Sequence, residues 1–154
     1  MKAKWLLALP AAVLGAGVFL VACGGGGGGS SHDAHHNSEK WEHEASLAKM
    51  PSFLDNFSVR TKHLYAVVGD YADIMKTVNC YCGCMDYAEG AHDSLYRCYV
   101  ASQSDDGVEW TDHAGLCGIC TEELADIEKW SKEGKSADEI RQLIEQNFNP
   151  HYEA

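Results

Sequence analysis

The chain has 154 residues, a formal net charge of −11 and a hydrophobic content of 45%, which is enough apolar material for one small domain with its own core. A protein this acidic has no basic stripe to receive phosphates, so nucleic acid is excluded as a partner. The same charge turns a domain away from an anionic membrane surface and draws small cations.

Taken in chain order, Lys2 and Lys4 precede an apolar run from Trp5 to Ala22, which ends in Leu20-Val21-Ala22-Cys23 and six glycines. A basic start, an apolar middle and small residues before a cut are the marks of a signal peptide, and the box around Cys23 resembles bacterial lipoprotein signals. That resemblance implies cleavage before Cys23 and a diacylglycerol on its sulfur, with residues 1–22 as the leader. The alternative is an uncleaved membrane anchor, since the apolar run is just long enough to span. Pro10 and the many small residues favour cleavage, and either outcome predicts a domain outside the cytoplasm, tethered to the bacterial cell membrane. Losing residues 1–22 removes two lysines and no acid, so the mature charge becomes −13. Residues 23–38, rich in Gly and His, predict a flexible tether spanning roughly 20 Å. His32, His35, His36 and His43 in and beside it suit a solvated linker better than a metal site.

The domain is expected over residues 39–154, mainly α. Glu39 to Met50 has few strand formers and stops at Pro51, which predicts a first helix. Leu64, Val67 and Val68, then Ile74, Met75 and Val78, predict two short helices broken at Gly69 and Asp70. Val78-Asn79 leads into Cys80-Tyr81-Cys82-Gly83-Cys84, too dense a run of sulfur for ordinary packing. From Met85 to Gly115 the chain is irregular, with strand-like runs at Leu95 to Val100 and Val108 to Thr111 that suit a hairpin. The pair Cys117-Gly118-Ile119-Cys120 precedes a helix with Leu124, Ile127 and Trp130 on one face, stopped at Gly134. Ser136 and Glu139 form a capping box. Ile140, Leu143, Ile144 and Phe148 mark a last helix that ends before Pro150 and folds back as a helical hairpin.

Asn79-Cys80-Tyr81-Cys82-Gly83-Cys84, His92-Asp93-Ser94-Leu95 with Cys98, Trp110-Thr111-Asp112-His113-Ala114 with Cys117-Gly118-Ile119-Cys120, and Gly134-Lys135-Ser136 with Glu139-Ile140-Arg141 together resemble the PCYCGC-motif lipoproteins of bacteria. The resemblance covers nearly all of residues 50–148, departs at Asn79 where the family has proline, and implies an extracytoplasmic lipoprotein without implying an activity.

Setting Cys23 aside, Cys80, Cys82, Cys84, Cys98, Cys117 and Cys120, with His92 and His113 near the last three, are the candidate ligands. Thiolates are soft anionic ligands that suit Cu(I), Zn(II) or an iron–sulfur centre. These residues are enough for two tetrahedral sites or one multinuclear Cu(I) cluster, and Met85 offers a thioether. Copper(I) is the preferred cofactor and zinc the alternative. Two other readings stay open. Six cysteines outside the cytoplasm can pair as disulfides, although Cys80, Cys82 and Cys84 are too close to bridge one another comfortably. A thiol pair next to a helix start can also exchange disulfides, and the segment from Cys117 onward is similar, over a short stretch, to cytochrome c maturation thiol oxidoreductases. The absence of a Gly-x-Ser-x-Gly elbow, a phosphate loop or a lone cysteine with an evident base argues against an enzyme. The sequence therefore predicts a membrane-tethered protein that captures a soft metal and holds it or passes it to an extracytoplasmic recipient protein.

Overall fold

A computed structural model describes residues 39–84 and 93–153. Four helices and a three-stranded sheet make up the fold among these residues. The expected helix over 39–50 is replaced by a strand, β1 (Trp41–Glu44), which pairs antiparallel with β3 (Gly107–Thr111), Trp41 opposite Thr111 and Glu44 opposite Val108. The physical reason is that this segment has no apolar stripe to bury as a helix, whereas β3 offers a row of backbone donors and acceptors on one edge. On the other edge lies β2 (Val100–Ser104), joined to β3 by a tight turn at Asp105 and Asp106, so the sheet order is β1-β3-β2. Gly107 sits at φ 137°, and a Cβ there would run into the Glu44 carbonyl and the His43 ring, so only glycine lets β1 close on the hairpin.

After Pro51 and a 3-10 turn at Ser52–Asn56, helix α1 (Val59–Met75) begins at Ser58, whose hydroxyl accepts from the Thr61 amide at 3.1 Å. It is one unbroken helix rather than two. Gly69 costs about 1 kcal/mol against alanine, but Leu64, Tyr65, Val68, Ala72 and Met75 form one buried stripe across it, and burying that stripe as a unit outweighs a single glycine. The expected strand from Leu95 is a 3-10 turn over Leu95–Cys98, and extended backbone starts only at Val100. The turn buries Leu95, Tyr96 and Cys98 together, which an alternating strand cannot do.

A short helix, α2 (His113–Leu116), leads through Cys117 into α3 (Gly118–Lys132). Cys120 thus lies inside α3 rather than before it. Gly134 at φ 82° ends α3, its amide reaching the Ser131 carbonyl while Lys135 N–H reaches Trp130, both at 3.0 Å. The capping box is formed: Glu139 N–H donates to Ser136 Oγ at 3.3 Å, and Ser136 N–H donates to the Glu139 carboxylate at 2.8 Å. Helix α4 (Ala137–Phe148) buries Ile140 and Ile144 against α3, giving the expected hairpin. Between α1, the sheet and α3, the core is aromatic, with Tyr65 packed 4.9 Å from Tyr99 and 5.8 Å from Trp110, ring centre to ring centre. Among the described residues no helix is long and apolar enough to cross a membrane.

Candidate metal centre

The sulfur-bearing turn follows directly from α1. Its entry is pinned where Leu95 N–H donates to the Val78 carbonyl at 2.8 Å, which sets the turn against the 3-10 segment carrying Cys98. Gly83 takes φ 89°, a left-handed conformation glycine adopts without penalty, and the reversal there leaves Cys80, Cys82 and Cys84 all buried. The turn is fastened to α3 by Tyr81 N–H donating to Glu123 Oε1 at 2.8 Å. Tyr99 hydroxyl donates to the Cys120 carbonyl at 3.1 Å, which ties the start of α3 to the strand-side wall. Cys117 occupies the N-cap of α3, and it alone among the six cysteines is only partly buried.

Cys80 Sγ lies 3.4 Å from Cys120 Sγ, well beyond the roughly 2.05 Å of a disulfide, and all six are free cysteines in this structure. Two ligand sets result. In one, the sulfurs of Cys80, Cys82, Cys98 and Cys120 lie within 4.8 Å of one another; in the other, Cys82, Cys84 and His113 do the same, and every member is buried. Within the second set, Cys84 Sγ is 3.2 Å from His113 Nε2. Both sets have the donors and spacing to hold a metal ion.

His113 is oriented from behind. Its Nδ1 is 2.6 Å from Glu39 Oε1, and the Glu39 side chain is 8% exposed. A carboxylate on one imidazole nitrogen fixes the ring and raises the basicity of the other, here the one facing sulfur. The sheet makes this contact: β1 pairing carries residue 39 to the end of β3, where Lys40 N–H donates to Asp112 Oδ1 at 2.9 Å and Asp112 N–H returns to the Lys40 carbonyl at 3.1 Å.

The charges divide unequally. Cys82 is held far below the usual thiol range by hydrogen bonds from Cys117, Cys120, Cys80 and Cys84. Cys84 is pushed up because it donates to Cys82, and burial adds to this. Cys120 is pushed up by donating to Cys117 and Cys80. For Cys117, the bond with Cys120 pulls down, but the bond to Cys82 and burial leave it raised. Burial lowers His113, yet hydrogen bonds with Cys82 and Glu39 outweigh it and lift it to about 10. Cys82 therefore sits as a thiolate beside the raised thiols of Cys84, Cys117 and Cys120, since a cage of bare buried thiolates is electrostatically prohibitive. A cation is what allows the remaining protons to leave.

Of the predicted ligands, Cys80, Cys82, Cys84, Cys98, Cys120 and His113 come together in the two sets, and Cys117 lies at their edge beside Cys82 and Cys120. His92, Met85, Cys23, His32, His35 and His36 lie outside the described residues, and His43 falls in β1. Two residues escaped the sequence reading. Glu39 carried no local signal, its partner being 74 positions away. Glu123 did carry one: it falls three residues after Cys120, on the face that holds Leu124 and Ile127, and a carboxylate on a buried face marks something to bind. Its side chain is buried, Oε2 has no hydrogen-bond partner among the described residues, and burial lifts its pKa to about 8 against the pull of Cys80 and the Tyr81 amide.

Fold and site together define a cysteine-rich, mainly helical domain built around a buried centre of sulfur and imidazole. The chain belongs to the family described as proteins of unknown function with a PCYCGC motif, whose model matches residues 12–154. No curated protein and no solved structure matches the chain.

Proposed function

We propose that this chain is an extracytoplasmic lipoprotein, cleaved after residue 22 and anchored to the cell membrane through lipid on Cys23, that captures a soft metal ion and holds it or hands it to a recipient protein. The observation that carries the reading is the convergence of sulfurs from the 80–84 turn, Cys98 and the 117–120 segment with His113 in a buried space. Copper(I) is the preferred ion, because it accepts three soft ligands without rigid geometry and Cys82, Cys84 and His113 offer such a set. Delivery is supported by Cys117, whose partly exposed sulfur is flanked by exposed Leu116 and Ile119; an accessible ligand beside apolar surface suits ion transfer to a docked protein.

The four-thiolate set favours a second reading, in which zinc fills a tetrahedral structural site and the domain acts through protein contacts. Disulfide exchange is less well supported. An exchange nucleophile needs a lowered pKa, whereas Cys117, the most accessible sulfur, is raised. The test is elemental analysis of the full chain, purified in detergent without oxygen, with a thiol count after the metal is stripped. Copper or zinc with six reactive thiols in the domain supports capture, while a chain without metal and without thiols is a disulfide scaffold and ends the proposal.

A further inference from the structure

Resting on the reading above, we propose that the centre is dinuclear, with two ions sharing the sulfur of Cys82. Cys82 is the one residue common to both ligand sets. A single ion among Cys80, Cys82, Cys98 and Cys120 would leave Cys84 and His113, 3.2 Å apart and almost wholly buried, with no ion to bind. Nothing about a one-ion site calls for His113 to be oriented by the Glu39 carboxylate at 2.6 Å, since His113 is not in the four-sulfur set. That arrangement is what a histidine ligand of a second ion requires.

The chemistry of the shared atom agrees. A thiolate sulfur has several lone pairs and bridges two soft cations readily, and the Cys82 sulfur lies within 4.8 Å of the ligand atoms of Cys80, Cys98 and Cys120 on one side and of Cys84 and His113 on the other. Each ligand thiol that carries a proton releases it to solvent as its sulfur binds an ion, one S–H bond broken per such thiol, while the bridging sulfur of Cys82 uses a second lone pair for the second ion and releases no further proton. Charge favours the pair as well. Four thiolates around one divalent ion leave two net negative charges in a buried space, and a second divalent ion with Cys84 as its thiolate reduces that to one, whereas a second monovalent ion is neutralised by Cys84 and adds no further charge. Cys117, beside Cys82 but outside both compact sets, is placed to complete the second ion's shell from the exposed side.

The experiment is anaerobic titration of the full-length chain in detergent with Cu(I), and separately Zn(II), against a chromophoric chelator, alongside circular dichroism of every variant. Two tight equivalents are expected for the parent chain. Cys84→Ser and His113→Ala should each bind one equivalent, and Cys82→Ser none. Glu39→Gln is the gentle variant: it should weaken only the second equivalent, by about 10–100-fold. A parent chain that binds one equivalent, or a Cys84→Ser chain that binds as many as the parent, overturns the dinuclear centre and leaves metal capture standing. A fully reduced parent chain that binds neither ion overturns both. Retained helicity in Glu39→Gln with unchanged affinity for both equivalents also contradicts the assignment.

Discussion

The helical hairpin and the sulfur centre meet in α3 yet are held by different physics. The hairpin is local: Gly134 turns the chain, Ser136 and Glu139 cap the next helix, and Ile140 and Ile144 bury an apolar face against α3. Its stabilising contacts lie within about thirty consecutive residues, and none of them needs a cation. The centre is the opposite. Its members come from α1's exit, the 3-10 turn before β2, α2 and the start of α3, with Glu39 supplied by the far end of the sheet. Its groups repel one another once deprotonated. The lesson is that one helix can be anchored at its carboxy end by apolar burial while its amino end stays poised, so a change of ion at the centre need not disturb the hairpin.

Acid should break the comparison most strongly. In the ion-free protein the raised thiols and His113, lifted to about 10, carry their protons at neutral pH. An ion must displace them, so affinity rises with pH and falls in acid, by up to about tenfold for each pH unit per proton displaced. Competition titrations at several pH values read this directly, and a flat profile would show that the ion does not take the place of those protons. Ion removal is next. A chelator should lower the melting temperature by roughly 10–20 °C, the effect of losing about 4 kcal/mol of linkage in a domain of this size, while far-ultraviolet circular dichroism retains the helical signal of the hairpin.

The hairpin has its own variants. Ile144→Ala should cost about 2–4 kcal/mol through the cavity it leaves, equally in ion-loaded and ion-free protein, as measured by denaturant unfolding in both states. A cost confined to one state would mean that the two regions are coupled through α3. Smallest is Ser136→Ala, expected to cost about 1 kcal/mol through loss of the cap, with the number of bound ions unchanged.

This division also explains what was legible in the sequence. Ser136 with Glu139, Gly134 and the Ile140–Ile144 spacing are short-range signals, and the hairpin they encode is the one observed. The clustering of Cys80, Cys82, Cys84, Cys117 and Cys120 was equally plain as chemistry, and the fold brings these residues to one place. Misread were the segments whose state is decided elsewhere. β1 is a strand only because β3, more than sixty residues on, offers an open edge. α1 runs through Gly69 only because both halves of its stripe share a core. Glu39 acquires its role from that same strand pairing, so a sequence reading that made residues 39–50 a helix had no means of finding it.

X-ray absorption at the metal edge of the anaerobically purified full chain reads out whether sulfur surrounds the bound ion. The expected shell is dominated by sulfur, at about 2.3 Å for zinc, with a minor imidazole contribution that disappears in His113→Ala. A shell of oxygen and nitrogen alone would contradict it.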